Sequence, residues 1–266
     1  MTANLLKLSL LGIICRQLYI TTAVSNDQSS AIVGGSIANL GQFPHHVLLR
    51  RDPRDLLFCG GSIISDKWVL TAAHCVYNRT YLHMEFGTTN LHVKGVTMNS
   101  SKFYIHPKYQ PDTLMNDVAL IKLPSVLKFN ESINYIQLVP TKNVENEFEG
   151  KLGFVTGFGW SADQANKYTE YLLRGTVKVI GNKECARKLT EYSIQASRMC
   201  TVPYKGTNMS PCKGDTGGAL VWESEYVQIG IISTIKQNHC SEYPVIYARI
   251  SSYIDYIRNI TGLEFH

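Results

Sequence analysis

The stretch Cys212-Lys213-Gly214-Asp215-Thr216-Gly217-Gly218 gathers three glycines, an acid and a hydroxyl residue into seven positions. Glycine tolerates backbone conformations and close approaches that a Cβ forbids. Such a run suits a turn whose backbone comes near another group, and an ordinary glycine turn is the plain alternative. Outward from it, short apolar runs recur at His46–Leu49, Gly61–Ile64, Trp68–Leu70, Val118–Leu123, Gly153–Thr156, Gly175–Ile180, Ala219–Trp222, Gln228–Ile232 and Val245–Ile250, divided by Gly, Pro, Asn and Asp. Many short apolar runs between turn residues predict an all-β fold. The end differs: Ile250, Tyr253, Ile254 and Ile257 follow helical spacing, with Ser251 or Ser252 as candidate caps.

The chain has 266 residues, 44% of them hydrophobic, enough for one large all-β domain or two smaller ones. From Ile32 onward no linker, repeat or low-complexity tract divides it. Near the start, Lys7 is followed by the apolar run Leu8–Cys15 and later by Ala23 and Ser25, a secretory-signal pattern with cleavage expected after Ser25. Residues 1–25 are thus read as a signal peptide, 26–31 as a short prosegment and 32–266 as the folded domain. The apolar run falls short of the about 18 residues a membrane span requires, and no membrane partner is expected. Losing the residues before Ile32 removes Lys7, Arg16 and Asp27, which takes the formal charge from +5 to +4. That mild balance lacks the clustered basic footprint of a nucleic-acid binder.

Cys15 lies in the signal, which leaves Cys59, Cys75, Cys185, Cys200, Cys212 and Cys240. Six cysteines in a secreted chain point to three disulfides, and none has zinc spacing, so no metal or other cofactor is expected. Sequons at Asn78, Asn99, Asn130, Asn208 and Asn259 agree with an extracellular glycoprotein. The charged run from Arg50 to Asp55 is read as a solvated loop with a possible exosite role, and Glu85 is the only acid in the segment Leu82–Met98.

Four segments in order, Ile32-Val33-Gly34-Gly35, Thr71-Ala72-Ala73-His74-Cys75, Asn116-Asp117-Val118-Ala119-Leu120 and Cys212–Gly218, resemble the chymotrypsin/trypsin-type serine protease family across essentially the whole mature chain. The resemblance implies two packed antiparallel six-stranded β-barrels with a C-terminal helix and the active site between them. It also implies the pairs Cys59–Cys75, Cys185–Cys200 and Cys212–Cys240. His74 and Asp117 match the base and the carboxylate that orients it, and the Gly214 and Thr216 N–H groups match an oxyanion hole. Asp215 matches the partner of a new α-amino group at Ile32, although Ala31 rather than Lys or Arg precedes that cut.

The departure is Thr216, where the family places serine. The extra methyl stiffens χ1, so either the methyl crowds its neighbours or the hydroxyl turns away from His74. Around the specificity pocket, Ser210 stands at the base, Ser233-Thr234-Ile235 forms the wall, and Ile235 and Val245 replace small residues, which narrows or closes the pocket. A pocket for a small side chain is the competing reading. Together these features predict an inactive secreted homologue, no longer an enzyme: a monomeric binding or decoy protein. It resembles the inactivated protease paralogues of parasitic mites, which implies host plasma or complement proteins as partners in immune evasion, and clipless insect protease homologues are a comparable match. The alternative is a slow endopeptidase with Thr216 as nucleophile and a preference for small residues.

Overall fold

Each of the nine apolar runs holds a strand, because Val, Ile and aromatic side chains fit a pleated surface buried on at least one face. The computed structural model describes residues 32–54, 58–139, 148–163, 165, 167–236 and 238–265. The expected signal peptide, the prosegment, Asp55 and His266 fall outside the described residues.

The first sheet comprises β1 (His46–Arg50), β2 (Cys59–Ser65), β3 (Trp68–Thr71), β4 (Leu82–Phe86), β5 (Val96–Ser100), β6 (Phe103–Ile105) and β7 (Ala119–Lys122), in the spatial order β5-β4-β1-β2-β3-β7-β6. The second comprises β8 (Leu152–Gly157), β9 (Leu173–Ile180), β10 (Arg198–Pro203), β11 (Ala219–Trp222), β12 (Val227–Thr234) and β13 (Val245–Arg249). Its order is β9-β8-β11-β12-β13-β10, and β10 pairs back to β9, so these strands close into a ring. Ser36–Ile37 adds to β9, and Gln137–Leu138 runs parallel to β12. Two six-stranded barrel-like sheets are therefore present as expected, with the three-residue β6 as an extra edge of the first.

Four strands, β4, β5, β6 and β10, are not among those nine runs. In β5 (Val-Thr-Met-Asn-Ser) three of the five positions are exposed and the two apolar residues, Val96 and Met98, are separated by Thr97, so no continuous apolar run marks it. In β4 the acid Glu85 is buried because Arg50 Nη2 meets its carboxylate at 3.1 Å. Arg50 therefore belongs to β1 rather than to the charged loop, which corrects the loop boundary by one residue.

One large apolar cluster spans both sheets, with Val47, Leu70 and Leu120 from the first and Ile231 and Tyr247 from the second. Buried polar contacts also cross the seam, among them Ser62 Oγ, which donates to Gln228 Oε1 at 2.7 Å, and His46 Nδ1, which meets Thr156 Oγ1 at 3.0 Å. The three disulfides pair as the resemblance implied. The helices are α1 (Ala73–Val76), α2 (Asn182–Lys188) and the expected terminal α3 (Ile254–Thr261), which buries Ile254 and Ile257. Ser251 and Ser252 do not cap α3. They sit in a preceding 3₁₀ turn, and Tyr253 occupies the N-cap without a side-chain bond.

Candidate active site

β3 ends at Thr71 and runs directly into α1, so His74 emerges where the first sheet meets the second. The flanking Ala72, Ala73 and Cys75 are fully buried, and Cys75 is tied to Cys59 at the start of β2. Asp117 is delivered by Asn116, whose φ of 54° is one that asparagine accepts more readily than most residues. The Asp117 carboxylate takes three hydrogen bonds: from the His74 N–H to Oδ1 at 2.9 Å, from His74 Nδ1 to Oδ2 at 2.8 Å, and from Ser233 Oγ to Oδ2 at 2.6 Å. With Nδ1 donating to Asp117, the Nε2 lone pair is left for the cleft.

The glycine loop comes from the second sheet and is clamped by the first. The Gly60 N–H donates to Thr216 O at 2.8 Å, and the Gly217 N–H donates to Ile232 O at 2.7 Å. Gly217 has φ 85°, and a Cβ there would stand 2.4 Å from Gly60 O, so only glycine lets the strands approach. Among the described residues, the Gly214 and Thr216 N–H groups donate to no protein acceptor. Asp215 is buried, and its carboxylate accepts the Gly159 and Cys212 N–H groups, each at 2.8 Å. Burial pushes its pKa up from 3.8 to about 8, with those two N–H groups opposing the shift.

Thr216 Oγ1 lies 3.5 Å from Cys59 Sγ, and His74 Nε2 lies 3.9 Å from the same sulfur. The hydroxyl is turned to the disulfide, with no hydrogen bond to Nε2 among the described residues. His74, Cys59 and Cys75 form a Cys/His grouping of the kind that binds metal, but both sulfurs are committed to their disulfide.

A cleft of about 750 Å³ opens over these groups and is walled by Ser233, Thr234 and Ile235. Ser210 and Val245 do not reach it. Ser210 is buried with Oγ donating to Cys240 O at 2.6 Å, and Val245 is buried in β13. Ser233, read from sequence only as pocket wall, also holds Asp117. No sequence signal joins two residues 116 positions apart. Glu85, bound by Arg50 and by the Gly95 N–H at 2.9 Å, is already occupied. All five sequon asparagines are exposed.

A family model described as Trypsin matches residues 32–257. The chain belongs to the trypsin family. It is 35% identical to a collagenase from Hypoderma lineatum over 88% of each chain, and 30% identical to a trypsin from Phaedon cochleariae over 91% of this chain and 93% of that one. Among solved structures, that of HL collagenase superposes with a TM-score of 0.77 at 35% identity, covering 88% of this chain and all of the other. A chymotrypsin from Phaedon cochleariae is 31% identical over 87% of this chain and 83% of that one.

These trypsin-family relatives overturn the expectation that the chain is not an enzyme, since proteins alike over nearly its full length bear the names of proteases. That expectation rested on Thr216 and on a pocket narrowed by Ile235 and Val245, yet Thr216 keeps its hydroxyl, the His74–Asp117 pair is assembled, and Val245 does not reach the cleft.

Proposed function

We propose that this chain is an endopeptidase in which Thr216 is the nucleophile, His74 the general base and a small side chain is preferred at the cut. The observation that carries this reading is the assembled His74–Asp117–Ser233 array with Thr216 Oγ1 against the same sulfur as His74 Nε2. The Thr216 backbone is clamped, so reaching Nε2 is a matter of χ1 moving to another staggered well. From there Oγ1 attacks the scissile carbonyl carbon while its proton passes to Nε2. Asp117 stabilises the imidazolium, the proton goes on to the leaving amine, and water then hydrolyses the acyl ester by the same relay. The undirected Gly214 and Thr216 N–H groups suit the developing oxyanion. The branched side chain makes the enzyme slow, by about a hundredfold relative to a serine in the same place.

Ile235 in the cleft wall, with Ser210 and Val245 sealed behind it, supports the preference for small side chains. Activation by a cut before Ile32 is supported by Asp215, a buried carboxylate with backbone donors only among the described residues, and by Ile32, whose side chain is fully buried next to Gly175. A protease tolerant of Ala31 would make that cut. Three disulfides and five exposed sequons support a secreted, glycosylated protein.

The test is to release Ile32 as the free N-terminus, assay a peptide library, and treat the protein with an active-site phosphonate. Turnover after small residues and a covalent adduct on Thr216, both lost in His74→Ala, are expected. No adduct and no turnover, in the native protein and in Thr216→Ser alike, would overturn the proposal.

A further inference from the structure

We infer that the cleft selects peptides carrying an acidic side chain beside the scissile bond, with Lys213 as the principal determinant. This rests on the reading of the cleft as a peptide site and names the class of peptide it takes. Among the described residues, three basic side chains, Arg51, Lys213 and Lys236, line the cleft, and no carboxylate does. They come from different parts of the fold: Arg51 follows β1 of the first sheet, Lys236 follows β12 of the second, and Lys213 immediately precedes Gly214. A concave surface carrying one sign of charge concentrates its field and favours ligands of the other sign.

The net charge of the chain does not produce this arrangement, because it is spread over 26 basic and 21 acidic residues. Local anchoring does. Lys213 is held to Trp160 twice: its carbonyl accepts the Trp160 N–H at 2.9 Å, and its ammonium lies 4.6 Å from the centre of the indole ring. Trp160 is itself buried in the cluster around the Cys212–Cys240 disulfide, so it is a fixed platform. Lys213 is exposed and makes no ion pair among the described residues. Lys236 is placed differently, with Nζ 3.3 Å from Glu191 Oε1 and 3.8 Å from the centre of the Tyr243 ring. Its charge is partly answered within the protein. Lys213 therefore offers the larger unspent attraction, and its cation–π anchoring reduces the entropy lost when it pairs.

The experiment uses protein cut before Ile32 and peptides identical except for Glu, Gln or Lys next to a central alanine. Affinity is read by fluorescence anisotropy on the His74→Ala protein, which cannot turn the peptides over, and kcat/KM is read on the native protein. The Glu peptide is expected to bind about tenfold more tightly than the Lys peptide at low ionic strength, with the gap closing as salt is added. Lys213→Glu should reverse that order. Equal affinities at low salt would overturn the inference, as would a preference that survives Lys213→Glu. If Lys213→Glu does not fold, Lys213→Gln and the salt dependence of the native protein decide the matter by the same criteria. A charge preference in binding without turnover would sink the Thr216 mechanism and leave this inference standing. Turnover without a charge preference would do the reverse.

Discussion

The proposed base and the proposed nucleophile come from opposite sheets, and the two halves are in different states. On the first-sheet side, Asp117 already accepts three hydrogen bonds and His74 is locked by two of them. On the second-sheet side, Thr216 Oγ1 faces a disulfide sulfur, and among the described residues two N–H groups have no protein acceptor and the buried Asp215 has only backbone donors. The base half is complete without substrate or processing. Under the proposed mechanism, the nucleophile half still requires a rotamer change, a ligand for its donors and a cation for its carboxylate.

The largest test of this contrast is His74→Ala. Removing the assembled half should lower turnover by about 10⁴- to 10⁶-fold, measured with a cleavable peptide in the activated protein. A loss below about tenfold would mean that the ordered pair is not the base. Next comes Thr216→Ser, which repairs the other half by deleting one methyl. It should raise kcat about a hundredfold with KM little changed, and no gain would place the defect elsewhere in the loop.

Ser233→Ala removes the one hydroxyl from the second sheet that supports the first-sheet pair. Loss of a short hydrogen bond to a buried carboxylate predicts a fall in kcat of about tenfold, without a matching rise in KM. An unchanged kcat would show that Asp117 is held well enough by His74 alone.

The smallest effect is on stability, read as Tm against pH before and after the cut at Ile32. In the uncut chain the folded pKa of Asp215, about 8, exceeds its ordinary 3.8, so the folded state keeps a proton that the unfolded state has released. Its contribution to stability therefore falls as pH rises between those values. His45 and His46 act in the opposite sense. Burial lowers His45 to about 3, aided by the nearby His46, and burial lowers His46 to about 4, so stability is lost as pH drops below 6.5. With two histidines opposing one aspartate, the uncut chain should be most stable near about pH 6.5 and weaken toward 8. In the cut protein, a new ammonium at Ile32 should remove the weakening above pH 6.5. If the two curves coincide there, the free N-terminus does not meet Asp215.

Much of the fold was legible because strand signals are local. The Val245–Ile250 and Gly175–Ile180 runs declare themselves by apolar side chains alone. Strands such as β5 were silent because their partners, not their own side chains, hold them in the sheet. The site divides in the same way. His74, Asp117 and Thr216 could be named from their motifs, whereas the second role of Ser233 and the basic lining of the cleft could not. The expectation of inactivity was overturned because one methyl at residue 216 and a bulky pocket wall are local signals, whereas the likeness to proteins named as proteases runs over nearly the whole chain.

By itself the sequence determined the all-β class, the terminal helix, the six paired cysteines, the imidazole and carboxylate, and a threonine hydroxyl in a glycine loop. These depend on side-chain chemistry and short-range periodicity. Only the tertiary structure decided that β9 and β10 close the second sheet, that Ser233 reaches Asp117, that Asp215 loses its water, and that Lys213, Lys236 and Arg51 share one cleft. Each of those facts is a distance between residues remote along the chain. Such distances follow from sheet register and closure, which no local pattern encodes.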